Sequence, residues 1–493
     1  MKQQKDEFFS DPLDFLQGKI MTDRLETEIL VGNNEVPAPP KAYWSDSRKV
    51  SPGDGFFALP GKISDGHEFI THALKRNASV VFIEKEKQSY LPDVLPENCV
   101  VFLVEDTEKA LHVLGMHHHK KLPLEKTIGI TGSVGKTTTK SLIRQVLSKW
   151  YPSYATRESF NTSIGIDLAL LSAPEDTKVL ILEFGANSFG EIRDLTLRYT
   201  PEIAIITDIA EAHTEGFTSL QGVLEAKSEI TESPHMETVF FNADTPMLAS
   251  FFSTSSQMYK SIPVGWHANS SEGIRIEHAE VRQNPGKPFP FSLRLQISLL
   301  GDALDFEAPF YCTHHAYACA YALGAAKIMG CKVSNKIDEI FSNFEVPPGR
   351  GNIITRNDGV FLFDESYNAN PKSMESSLKS FAALPLKGKK VLLLGGMKEL
   401  GVLSLQAHLR IFSLLSPFHK VFLIGEEWNS PEISQTIKTG KFAGHMVLLN
   451  SMEDFFAAID TISLEPGDAL FVKGSRSYGL ERAVKELGKN VFL

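Results

Sequence analysis

Short apolar runs bounded by turn-forming residues recur along the chain, and their spacing predicts strands alternating with helices. Residues 1–123 hold strands such as VVFIEK (Val80 to Lys85) and VVFLVED (Val100 to Asp106), separated by helix-like segments. The stretch HHHKKLPLEK, from His117, reads as a polar linker, and the first boundary is placed there. Residues 124–346 follow a different rhythm. TIGIT, VLILEF, IAIIT and TVFFN are apolar throughout, as in a parallel sheet covered on both faces. Between Pro288 and Phe310 apolar and polar residues alternate, which predicts antiparallel strands and so a mixed sheet. An Ala-rich helix follows from Ala316 to Gly330. The turn EVPPGRGN marks the second boundary. In residues 347–493, GVFLFDES, KVLLLGG, KVFLIG, HMVLLN and ALFVKG interleave with helical segments, as in a doubly wound, Rossmann-like α/β unit. The expected fold is α/β in three domains.

Composition narrows the class. Of the 493 residues 42% are apolar and 22% charged, which fits a globular protein with a sizeable core. A net charge of −10 argues against a nucleic-acid partner, whose phosphates demand Lys and Arg. The start, MKQQKDEFFSDPLDFL, lacks a signal-peptide run, and no stretch nears the roughly 18 apolar residues of a membrane span. Cys99, Cys312, Cys319 and Cys331 form no CxxC pair, and Cys312 and Cys319 read as buried free thiols of an Ala-rich helix. A cytoplasmic location without membrane insertion is the expectation.

The chemistry begins at ITGSVGKTTTK, Ile130 to Lys140. A strand, a Gly-containing turn and a helix in this order present backbone N–H groups and a positive helix end to a phosphate. Gly132 and Gly135 permit the unusual backbone, Ser133 lies between them, and Thr138 belongs to the first helical turn. Lys136 can reach the β- and γ-phosphates, and the Thr137 hydroxyl can ligate Mg²⁺. The standard spacing asks for a glycine where Ile130 stands. A Gly-rich turn without ligand is the bland alternative, and a lone match leaves GTPase, kinase, motor and ligase open. No guanine-reading NKxD motif stands in a sensible place.

Three further groups follow. Glu183 ends the strand VLILEF at the carboxyl edge, where open α/β sheets bind ligands. His213, in AHTEGF, lies beyond the next strand, and Lys227, in EAKSEI, lies on a helix. Glu and His beside a triphosphate suit Mg²⁺ ligation, directly or through water. Taken singly, His213 and Lys227 also read as ordinary surface residues.

Together TGSVGKTT, EFGANSFGEI, AHTEGF, AKSEI, FDESYNANPKSM and VKGSRS resemble the Mur ligase family, collinearly from about Trp44 to Arg482. The shortened phosphate loop is that family's form. The resemblance implies a central P-loop mononucleotide-binding domain, with a UDP-substrate domain before it and a dipeptide-binding domain after it. The implied reaction is ATP-dependent amide formation between UDP-N-acetylmuramoyl-tripeptide and D-Ala-D-Ala, by a monomer. Lys136, Thr137, Asn161, Arg350 and Asp364 would serve the nucleotide; Glu183 and His213 would join Thr137 at the metal. Lys227 matches a lysine carbamylated by CO₂, a change that turns a cation into an anionic oxygen ligand for Mg²⁺. Ser47 and Arg48 would meet the UDP end, and Asn187, Tyr367, Asn368, Asn370, Lys473, Ser475 and Arg476 the substrates.

Departures accompany the likeness. The family's HNxxN appears as HHAYA, with His315 and Ala318 at the asparagine positions; Thr162 replaces an Asn after Asn161, and Gly396 an Asp in GGMKELG. Rival readings are a ligase adding the third peptide residue, a folylpolyglutamate synthetase, and a nucleotide-binding scaffold with decayed activity. The absence of DNPR and the presence of SYNANP favour the dipeptide ligase over the first.

Overall fold

A computed structural model describes residues 28–31, 38–61, 64–157, 159–210, 217, 219–254, 258–284, 289–342, 344–439, 445–459 and 463–489. His213, one of the expected metal ligands, lies outside the described residues. The chain divides into two compact units, residues 1–125 with 152–182, and residues 126–151 with 183–493.

In the first unit, β1 (Glu28–Val31), β2 (Tyr43–Trp44), β3 (Gly55–Phe57), β4 (Val80–Glu84) and β5 (Val100–Val104) form a sheet in the order β1-β5-β4-β3-β2. Only β1 runs antiparallel to its neighbour. Both faces of the central strands are buried, which explains their unbroken apolar runs. Phe57, Phe82 and Phe102, on adjacent strands, stack with centroids 4.1 and 4.8 Å apart.

The expected linker from His117 is corrected here. His117 to Lys121 complete the helix Thr107–Lys121, capped at its start by Asp106. The basic residues crowd its last turn, where the negative end of the helix favours cations. His118 is buried, its Nε2 2.9 Å from the Ala173 carbonyl. A run of polar letters thus concealed a helical turn with one inward face.

In the second unit the sheet runs β14 (Asp302–Ala308), β13 (Phe291–Leu299), β12 (Ile274–Gln283), β11 (Lys260–Gly265), β10 (Thr238–Asn242), β9 (Ile203–Ile206), β6 (Lys126–Thr131). The strands from β6 to β12 are parallel, and β12, β13 and β14 are antiparallel, so the sheet is mixed as the alternation beyond Pro288 predicts. The strands β7 (Ser153–Ala155) and β8 (Val179–Glu183) pair in parallel.

A further sheet of this unit has the order β15 (Asn352–Thr355), β16 (Phe361–Glu365), β20 (Ala469–Lys473), β17 (Lys390–Gly395), β18 (Lys420–Ile424), β19 (Met446–Leu449). All but β15 are parallel. Each run named from the sequence in this region is one of these parallel strands. Their side chains feed two cores, one on each face, as in a doubly wound sheet.

Candidate active site

The turn after β6 depends on two glycines. Gly132 has φ +134° and Gly135 φ +86°, conformations that side chains with a Cβ avoid. A Cβ on Gly132 would stand 2.1 Å from Thr207 Oγ1, so the loop approaches the end of β9 more closely than any other residue allows. That approach is fastened on both sides. Thr207 Oγ1 donates to the Val134 carbonyl at 2.6 Å, and the Ser133 amide donates to the Asp208 carbonyl at 2.9 Å. The helix Lys136–Leu147 then begins directly at Gly135, aiming its first amides into the turn.

Charge converges below this loop. Thr137 Oγ1 donates to Glu183 Oε2 at 2.8 Å, and Lys140 Nζ lies 3.1 Å from the same oxygen. Burial alone would raise the Glu183 carboxyl. The charges of Lys140, Lys136 and Arg350, with the Thr137 hydroxyl, hold it below the usual carboxylate range. Three cations around one buried carboxylate leave an excess of positive charge that suits a polyanion. Lys136 itself bends back to its own loop, Nζ donating to the Gly132 carbonyl at 2.6 Å.

Lys227 is buried on the helix Leu220–Ser228, its Nζ 5.5 Å from the centre of the Phe217 ring. Burial, aided by the charge of Lys136, pushes its ammonium down to about 7, against the pull of Glu191 and Glu229. An amine in that range is substantially neutral, and the neutral amine is the form that attacks CO₂.

The segment after β16 completes the neighbourhood. The Arg350 guanidinium lies 4.0 Å from the centre of the Tyr367 ring, and Arg476 lies 5.3 Å from it. Asp364 is buried, accepts from the Ser366 amide at 3.0 Å, and has its carboxyl raised by burial. Asn370 caps the helix Pro371–Ala383 in a reciprocal arrangement with Ser373. Its Nδ2 also reaches the Ser133 carbonyl of the phosphate loop at 3.5 Å. Asn368 Oδ1 accepts from the adjacent Ala369 amide. The buried Lys473 Nζ stands 3.0 Å from Glu365 Oε2 and donates to the Asn368 carbonyl. Ser475 Oγ accepts from the Lys398 amide at 2.9 Å. The Asn187 amide donates to Glu191 Oε2.

The remaining sequence candidates lie in the first unit. Ser47 is buried, its hydroxyl 2.9 Å from His72 Nδ1, while Arg48 projects outward and pairs with Asp46 at 2.8 Å. Asn161 stands just before the helix Ser163–Leu170, and Thr162 caps that helix through the Gly165 amide. The departure at Thr162 therefore has a local use. Gly396 has another: the space a side chain would fill there is held by the Glu427 carboxylate, 2.1 Å from an added Cβ.

Sequence reasoning missed Lys140 and Lys372. Lys140 lies four residues after Lys136, one turn on along the same helix face, so its spacing was a usable signal. Lys372 binds Asp208 at 2.6 Å, a meeting across 164 residues that no local pattern announces.

Three family models match the chain: the Mur ligase middle domain over residues 130–326, the Mur ligase, glutamate ligase domain over 349–476, and the Mur ligase family, catalytic domain over 44–119. The chain belongs to the Mur ligase family. Among its relatives, the UDP-N-acetylmuramoyl-tripeptide–D-alanyl-D-alanine ligase of Bacillus subtilis is 30% identical, over 90% of this chain and 92% of that one. The protein of the same name from Treponema pallidum is 31% identical, over 89% and 91%. The fold is shared with the MurF ligase of Thermotoga maritima solved with ADP, at 24% identity, TM-score 0.70, and coverage of 91% and 97%. Acinetobacter baumannii MurF is also similar, with TM-score 0.71 at 24% identity, covering 91% and 93%.

Proposed function

We propose that this chain is an ATP-dependent, ADP-forming ligase that joins D-Ala-D-Ala to the terminal carboxylate of UDP-N-acetylmuramoyl-tripeptide, acting as a cytoplasmic monomer in the last soluble step of peptidoglycan precursor synthesis. The observation that carries this reading is the match over nine-tenths of the chain to relatives bearing that activity in their names. In this reading residues 1–123 hold the UDP end, residues 124–346 hold ATP, and residues 347–493 receive the dipeptide. Among the described residues no helix is long and apolar enough to cross a membrane.

A carboxylate and an amine do not condense at neutral pH without a better leaving group. Transfer of the γ-phosphoryl to the peptide carboxylate supplies one, giving an acyl phosphate and ADP. The dipeptide amine then attacks the carbonyl, and the tetrahedral oxyanion collapses with release of phosphate. The chain's work is positioning and charge stabilisation. Lys136 would exchange the Gly132 carbonyl for a phosphate oxygen, and Arg350 would balance charge growing on the transferred group.

Thr137 and Glu183 offer hard oxygen donors that share a hydrogen bond of 2.8 Å, a donor set that fits Mg²⁺. They would hold the ion with His213 and a carbamylated Lys227. The ion supplies neutralisation of phosphate charge. The buried, readily neutral Lys227 amine supports the carbamylation reading.

The test is incubation of the pure protein with ATP, Mg²⁺, D-Ala-D-Ala and UDP-linked tripeptides that differ in the third residue, with ADP and product mass measured together. ADP formation that requires both peptide halves and matches product one for one is expected. ADP formation indifferent to the dipeptide, or ATP binding without turnover, overturns the proposal.

A further inference from the structure

The turn that opens the Ala-rich helix His315–Ile328 gathers donors that the ligase reading does not use. Cys312, His314 and His315 place one ligand atom each within 4.8 Å of one another. Cys312 and His315 are buried, with 0% and 4% of their surfaces exposed. Among the described residues the buried His315 Nδ1 has no hydrogen-bond partner of good geometry, which is costly for an imidazole nitrogen. We propose that Cys312, His314 and His315 bind one divalent ion of the zinc class, through donors other than Thr137 and Glu183.

A thiolate and two imidazoles form a borderline-soft donor set, suited to Zn²⁺ or Co²⁺ and unsuited to Mg²⁺. Ligand atoms on a tetrahedral zinc lie about 3.5 Å apart, so the trio must contract by about an ångström, within reach of small side-chain rotations. The orphaned His315 Nδ1 would gain the partner it lacks. Ser376 Oγ is 3.1 Å from His314 Nδ1, a contact of the kind that fixes a ligating ring through its other nitrogen. Cys312 Sγ donates to Glu365 Oε1 at 3.8 Å, an oxygen that also accepts from the Tyr311 hydroxyl, and metal binding would replace this thiol hydrogen bond. The nearby Lys473 ammonium is already neutralised by that same Glu365, 3.0 Å away. On binding, the Cys312 proton leaves to solvent and its sulfur pair forms the metal bond. The substitution of the family's asparagine by His315 then has a chemical purpose: it adds the third donor to a Cys-x-His-His run.

Full-length protein stripped with chelator is titrated with Co²⁺ and followed by absorption. A thiolate-to-cobalt charge-transfer band rising to one ion per chain, bleached by Zn²⁺ and indifferent to excess Mg²⁺, is expected. Cys312→Ala should abolish the band. His315→Asn, which keeps a polar side chain of smaller size, should weaken binding by at least roughly a hundredfold, since loss of a second-shell partner alone costs about 10–100-fold. Absence of the band in the unaltered chain overturns the site. So does a band that persists in Cys312→Ala, because the thiolate would then come from Cys99, Cys319 or Cys331.

Discussion

The Lys140 ammonium stands 3.1 Å from the Glu183 carboxylate, and each side chain is only 2% exposed. Two charges buried together in this way are held by each other more than by solvent. Removing one partner of a buried pair costs about 3–5 kcal/mol where the other is left uncompensated. Lys136, Arg350 and the Thr137 hydroxyl still face Glu183 when Lys140 is removed, so Lys140→Met should lower stability by less than that in urea unfolding, though its methylenes are replaced. Adding Glu183→Gln to the same chain should recover a large part of the loss. Equal instability of the single and double variants would show that the pair is incidental to the fold.

Lys136 has a different standing. Its ammonium donates to the Gly132 carbonyl of its own loop and forms no ion pair among the described residues. Removing it should spare the fold and damage the chemistry. Lys136→Ala is expected to keep the unaltered melting temperature within a few degrees while slowing turnover at least about a hundredfold, the usual scale for one preorganised donor. Near-normal turnover measured by ADP release would refute its part in phosphoryl transfer.

The depressed Lys227 ammonium makes a prediction about pH. Its folded value is about 7 against an ordinary 10.5. Between those values the unfolded chain binds the additional proton, so stability rises with pH across that window and the penalty is greatest below about 7. The full effect is up to roughly 5 kcal/mol. In CO₂-free buffer, unfolding from about pH 7 to about pH 10 should show this gain in the unaltered chain and lose it in Lys227→Met. A parallel pH dependence in both chains would remove Lys227 from the account. With ¹³C-bicarbonate present, a carbamate resonance absent from Lys227→Met is expected as well.

Much of this arrangement was legible beforehand because it is local. TIGIT, GSVG and KTTTK are contiguous, so strand, turn and helix could be placed from period and glycine positions alone. The parallel strands of the second unit announced themselves through unbroken apolar runs. What escaped were relationships made by folding. Asp208 and Lys372 meet only because the helix Pro371–Ala383 is brought to the end of β9. Polar letters misled at His117 to Lys121, where a buried His118 between two half-buried histidines belongs to a helical turn. Cys312 was read as packing material, and only the gathered side chains reveal the company of His314 and His315.

Gly396 offers a sharper use of the same lesson. Sequence likeness invites restoring the family's aspartate there, but the position is already taken. An added Cβ would meet Glu427 Oε2 at 2.1 Å and the Tyr478 hydroxyl at 3.0 Å. That carboxylate is held in place by Tyr478, at 2.5 Å, and by an ion pair with Lys398. Gly396→Asp should thus introduce both overpacking and a second negative charge, destabilising by about 1–3 kcal/mol from the packing alone. The double substitution Gly396→Asp with Glu427→Ala clears the space and leaves one carboxylate for Lys398 and Tyr478. It should recover most of the stability, measured by thermal unfolding, and with it the dipeptide-dependent turnover. If the double variant is as unstable as the single one, Glu427 does not occupy the vacated position in solution. If the single variant is as stable as the unaltered chain, the close approach at Gly396 is relieved by a movement the structure does not show.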